Sequence, residues 1–131
     1  MKKLLVLAAL LAMLTACGEN EHAGHTGIGS TEPVKVAVQL DPAEPKAGQP
    51  VTIKAEVTQA GEPVNDADEV LFEIWPEGAG EFDHDEIEGK LDRDGVYTIE
   101  HTFPEAGTYY IVAHVTAHTF HTMPKIELKV Q

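Results

Sequence analysis

The sequence predicts an all-β domain, an immunoglobulin-like antiparallel β-sandwich of about seven strands. Three observations predict it. Short runs of alternating apolar and polar residues recur between clusters of Gly, Pro, Asp and Asn, the pattern of half-buried strands joined by turns. Beyond the first sixteen residues no segment sustains a 3.6-residue apolar period, so no helix is expected. Glu105-Ala106-Gly107-Thr108-Tyr109 has the order of a tyrosine corner, which favours a sandwich over a barrel.

The N-terminus precedes the domain with a targeting segment. Met1-Lys2-Lys3 is a short positive region, residues 4–14 are apolar, and Leu14-Thr15-Ala16-Cys17 closes the run. The run is too short to span a bilayer of ~30 Å and reads as a secretory signal. Leu-Thr-Ala-Cys resembles the lipobox of bacterial lipoproteins, and the single cysteine of the chain falls at the modified position. The resemblance implies cleavage before Cys17, a lipid on that residue, and a protein anchored to the cell membrane on its extracytoplasmic side. Residues 1–16 are thus the signal peptide, 17–32 a lipidated flexible tether and 33–131 the sandwich domain. The tether is mostly Gly, Glu, Thr and other small or polar residues with His22 and His25, too little apolar surface to order itself.

Charge narrows the partners. Removal of the signal peptide leaves seven basic residues against twenty-two acidic ones. Such a surface repels nucleic acid and anionic lipid and favours cations or basic surfaces. With one cysteine no intrachain disulfide is available.

The strands follow in order. Residues 34–40 alternate, 41–50 turn, 51–57 alternate again and 61–66 break the pattern. Val70, Phe72 and Ile74 form the third apolar set, with Glu73 and Trp75 on the opposite phase. Ile87 and Leu91 mark a short strand before the Asp92-Arg93-Asp94-Gly95 turn. Residues 96–103, 107–117 and 124–130 complete the set. Tyr109, Ile111, Ala113 and Val115 are expected in the core, matched by Ile126, Leu128 and Val130 of the last strand.

That phase sends a chemical cluster to the outer face. Residues 113–124 carry His114, His118, His121 and Met123, three of seven histidines and the only methionine beyond residue 13. Pairing Ala113 with Ile126 places a turn at Thr119-Phe120 and sets His118 against His121 and Thr116 against Met123. Neighbours across strands lie ~5–8 Å apart, within joint reach of one ion. Imidazole and thioether together lean toward copper. Trp75 is outward on the third strand, and the acidic loop Glu81-Phe82-Asp83-His84-Asp85-Glu86 after it can fold over the sheet and add His84 or Glu86. His101 shares the phase of Tyr97, Ile99 and Phe103 and reads as a packed histidine. The plainer reading is a solvated histidine face with Met123 under the sheet edge.

The runs Phe72-Glu73-Ile74-Trp75, Asp94-Gly95-Val96-Tyr97, Gly107-Thr108-Tyr109-Tyr110 and His114-Val115-Thr116-Ala117 with His121-Thr122-Met123-Pro124 resemble the YtkA-like domain of bacterial lipoproteins, related to the FixH-like proteins. The resemblance implies an immunoglobulin-like sandwich outside the cytoplasmic membrane. The positions it marks are Trp75, His84, Glu86, His114, His121, Met123 and Pro124; His118 is not among them. FixH-like proteins are linked with assembly of copper-containing oxidases, but are held by a membrane helix where this chain has a lipid site.

No enzyme is expected. G-x-S-x-G and P-loop patterns are absent, and Ser30 is the only serine. The expectation is a lipid-anchored sandwich that binds copper through His114, His121 and Met123, with His84 or His118 as a further ligand, for buffering or delivery to a copper-accepting protein such as an oxidase assembly factor. The alternative is a metal-free interaction module on the cell surface, using Leu71, Trp75, Tyr110 and Val112 of the same face.

Overall fold

The computed structural model describes residues 30–131. The expected signal peptide, the expected lipidation site Cys17, and His22 and His25 of the expected tether lie outside the described residues. Ten strands follow one another: β1 (Lys35–Asp41), β2 (Pro50–Gln59), β3 (Glu62–Pro63), β4 (Glu69–Pro76), β5 (Asp85–Glu88), β6 (Lys90–Arg93), β7 (Val96–Thr102), β8 (Gly107–Ala117), β9 (Phe120–Thr122) and β10 (Lys125–Val130). The only helical piece among the described residues is a 3-10 turn at Glu81–Asp83.

All pairings are antiparallel and form two sheets. One has the order β1-β2-β7-β6 with β3 beside β2; the other has β10-β8-β4-β5 with β9 beside β8. This is the strand order of an immunoglobulin-like sandwich, four strands facing three plus one. Alternation explains the layers. Val51, Ile53, Ala55 and Val57 of β2, Phe72 and Ile74 of β4, and Ile111, Ala113 and Val115 of β8 are buried between the sheets. Each large apolar side chain so buried stabilises the fold by about 1.5–3 kcal/mol. The tyrosine corner is present: the Tyr109 hydroxyl donates to the Glu105 carbonyl at 2.9 Å.

Three expectations need correction. The segment around Ile87 and Leu91 is two strands, β5 and β6, one in each sheet. Gly89 makes the crossing between them, its backbone N–H donating to the Val70 carbonyl at 2.8 Å and its Cα side pressed against Phe72. The β8–β10 register is displaced by two residues from the expected one, Ile126 facing Ile111 and Leu128 facing Tyr109. A two-residue displacement keeps every side chain on its own face, which is why the core assignment holds. The hairpin turn accordingly falls at His118-Thr119, not Thr119-Phe120. Both turn residues have positive φ, 49° and 72°, the backbone of the two-residue turns that fit the twist of a hairpin.

Candidate metal centre

The outer face of the β10-β8-β4-β5 sheet carries the cluster. Register sets Leu71 of β4 against His114 of β8, Glu73 against Val112, and Trp75 against Tyr110. On the other side of β8, Thr116 faces His121 of β9. The same register on both sides of the break at Met123-Pro124 places Met123 across from His114. Pro124 has no N–H, and its carbonyl instead accepts from Ala113 N at 3.1 Å. The chain thus leaves the ladder there for two residues and rejoins it as β10.

Glu73 lies at the centre. One carboxylate oxygen is 2.6 Å from Nδ1 of His84 and the other 2.8 Å from Nε2 of His114. These two hydrogen bonds, the His84 bond first, hold the Glu73 carboxyl below the usual carboxylate range, against the opposing effect of burial. Glu86 faces Glu73 directly across β5, a like-charge opposition that is unfavourable unless cationic or hydrogen-bonded groups offset it. His84 reaches the sheet because the loop after β4 folds back. Its ring stacks on Trp75 with centroids 4.2 Å apart and planes 5° from parallel.

His121 completes the group. Its ring centroid is 6.2 Å from that of His114, and its Nδ1 is 2.8 Å from the Thr116 hydroxyl. With metal–nitrogen bonds of ~2 Å, two imidazoles sharing an ion have centroids roughly 5–6 Å apart. Met123 stands beside them, 52% exposed. In His84, His114 and His121 alike, one ring nitrogen is bonded and the other makes no hydrogen bond among the described residues. No fully buried side-chain nitrogen or oxygen among the described residues lacks a partner, so the second nitrogens of His84 and His114 are not sealed in the interior. No three His, Cys, Asp or Glu side chains among the described residues are already gathered as a closed metal cage. The donor set, imidazole nitrogens with one thioether, nevertheless fits copper better than a hard cation.

The matching family model, described as YtkA-like, spans residues 30–114. The chain belongs to the YtkA-like family. The matched stretch includes Glu73, Trp75, His84, Glu86 and His114 and ends before His121 and Met123. No curated protein matches the chain. Among solved structures, an engineered protein is 19% identical with a TM-score of 0.56, covering 74% of this chain and 20% of that one. This YtkA-like chain therefore spans about a fifth of that protein, and the likeness is one of fold. A superoxide reductase (neelaredoxin) from Ignicoccus hospitalis is 18% identical with a TM-score of 0.42, covering 77% of this chain and 82% of that one. A chimeric titin fragment carrying a decorin peptide is 21% identical with a TM-score of 0.37, covering 76% and 96%.

The expected residues divide. His84, His114, His121 and Met123 of the YtkA-like domain share one face, with Trp75 and Glu86 beside them. His118 does not join. It sits in the turn, its Nδ1 2.7 Å from Gln59 Oε1 and its Nε2 2.8 Å from Asp66 Oδ1, so neither nitrogen is left for a metal. Gln59 in turn donates from Nε2 to the carbonyls of Glu32, at 2.7 Å, and Ser30, at 3.3 Å. His118 ties the β8–β9 turn to the other sheet and to the start of the domain. His101 packs edge-on against Phe103 with ring centroids 4.7 Å apart. The apolar outer residues are not open either: Val112 is buried, and the Lys125 ammonium lies 4.6 Å from the Tyr110 ring and 5.4 Å from that of Trp75. Sequence reasoning missed Glu73. Its signal was an acidic residue on the outward phase between Leu71 and Trp75.

Proposed function

We propose that this YtkA-like domain binds copper on the outer face of its second sheet, through His114, His121 and Met123 with His84 as the further donor. The protein then buffers the metal or passes it to a copper-accepting partner, such as an oxidase assembly factor. The lipobox at Cys17 supports a lipid-anchored protein on the extracytoplasmic side of the cell membrane, where such a partner would be met. The role is one of binding rather than catalysis.

One observation carries the reading. Two histidines are fixed by one carboxylate with one ring nitrogen of each left unbonded. One of the two, His114, has a third histidine at 6.2 Å between ring centroids and, by register, an exposed thioether across from it. When bound, a copper ion would find nitrogen donors suited to either oxidation state and a sulfur donor that favours Cu(I). The interaction-module alternative is less supported, because His84, Lys125 and burial of Val112 cover the apolar surface it needs.

The test is a titration with Cu(I) and Cu(II) against a competing chelator, with Zn(II) as control, in protein with His22 and His25 replaced by alanine. Trp75, stacked on His84, is the chain's only tryptophan and reports binding through its emission. Stoichiometric binding lost in the His121→Ala, Met123→Ala double variant is expected. Full copper affinity in that variant would sink the proposal.

A further inference from the structure

We infer that Glu73 is the positioning residue of this site: by bridging His84 Nδ1 and His114 Nε2 it fixes opposite tautomers in the two rings, presenting Nε2 of one and Nδ1 of the other. The inference rests on the copper reading for its consequence, though not for the hydrogen-bond chemistry.

That chemistry is constrained. An ionised carboxylate has no proton to give and only accepts. Both rings facing Glu73 must therefore donate, His84 from Nδ1 at 2.6 Å and His114 from Nε2 at 2.8 Å. A neutral imidazole carries one N–H, so the remaining nitrogen of each ring is a bare lone pair, the form a metal needs. Metal-binding histidines commonly donate their other N–H to a carboxylate in this way, which orients the ring and makes it more basic. Here a single carboxylate serves two rings from different elements: the loop after β4 and strand β8. Glu73 itself lies on β4, hydrogen-bonded on both sides by β5 and β8, so its position is fixed by the sheet. The two rings' orientations are thereby linked through one side chain.

Glu73→Gln is nearly isosteric and separates this role from simple space filling. An amide offers one accepting oxygen and one donating NH2. Facing two donor rings, it can keep only one; the other ring must move its proton to the opposite nitrogen, the one required for metal.

The test uses the full protein labelled with 15N-histidine and free of metal. Imidazole nitrogen shifts, assigned with His84→Gln and His114→Gln, report which nitrogen is protonated. The expected result is Nδ1–H in His84 and Nε2–H in His114, with one of the two reversed in Glu73→Gln. Copper affinity of that variant is expected to fall roughly 10–100-fold with the strand signals of the sheet unchanged. Nε2–H in both rings of the wild-type protein, or an unchanged pattern in Glu73→Gln, would overturn the inference. So would wild-type copper affinity in a Glu73→Gln variant that had lost the pattern. The stated tautomers in a wild-type protein that binds no copper would uphold the hold of Glu73 on the rings and overturn the copper reading alone.

Discussion

Replacing His84 with alanine removes the fastening that holds the loop after β4 against the sheet. Two contributions are lost. The His84–Glu73 hydrogen bond, 2.6 Å long with its partners 16% and 21% exposed, is of the charged type worth about 1.5–3 kcal/mol, and residual exposure puts it at the lower end. Stacking on Trp75 at 4.2 Å contributes about 0.5–1.5 kcal/mol. Glu73 keeps its bond to His114, so no charge is orphaned and the loss stays near 2–3 kcal/mol in all. At about 4 °C per kcal/mol, the lower end for a domain of this size, Tm falls by roughly 10 °C. The assay is thermal melting followed by circular dichroism and by Trp75 emission, which shifts as the indole loses its cover. His84→Phe retains a stacked ring without the hydrogen bond and is expected to recover the smaller share. A Tm within about 2 °C of wild type and unchanged emission in His84→Ala would refute the reasoning, since the loop would then be held by something else.

Three further predictions concern the frame. A Cβ on Gly89 would lie 2.8 Å from Cε2 of the fully buried Phe72, so Gly89→Ala is expected to cost about 1–3 kcal/mol by overpacking, read as a lower urea midpoint at unchanged m. Tyr109→Phe removes the donor to the Glu105 carbonyl and is expected to lose about 1 kcal/mol; a variant as stable as wild type would show that the corner is not holding. Burial holds the His101 imidazolium acid below its usual value, with Asp85 pulling the other way. The unfolded chain therefore takes up a proton near pH 6.5 and the folded chain only at lower pH. Its contribution is present above about 6.5 and lost as pH falls through the folded value. His101→Gln flattens that part of the stability profile; an identical profile in wild type and variant would contradict it.

The faces of the strands were legible because alternation survives in the sequence: Tyr109, Ile111, Ala113 and Val115 are inward as their spacing requires. The register was not, because displacing β10 by two residues leaves the same faces matched, and only the turn distinguishes the choices. His118-Thr119 hides that turn. A positive φ at threonine is unfavourable, and nothing in the pair resembles the Asn-Gly that marks such turns. Its support comes from Gln59 and Asp66, one on β2 and the other between β3 and β4, which no local reading brings together. His84 was legible as a loop residue close to Trp75. Glu73 was not, because an outward acid on a strand looks like ordinary solvated surface until diagonal neighbours across the sheet are known.

Strand β8 explains why such a site can exist without endangering the fold. Its inward row, Tyr109, Ile111, Ala113 and Val115, belongs to the core between the sheets. Its outward row holds His114 and Thr116, both half-buried, whose side chains bond to Glu73 and His121 rather than to core residues. A change in the outward row leaves the interior packing intact, whereas a change in the inward row opens a cavity costing about 2–5 kcal/mol for a large aliphatic residue cut to alanine. His114→Ala should therefore remove a donor of the candidate site at about the cost of its one bond to Glu73. That bond is 2.8 Å long with partners 20% and 21% exposed, which puts it at about 1.5 kcal/mol. Ile111→Ala should cost more, weakening the core while leaving the Glu73–His84 and Glu73–His114 bonds in place. If both variants lost stability equally, the division of labour between the two rows would be wrong. The outer face would then have to be counted as part of what holds the sandwich together.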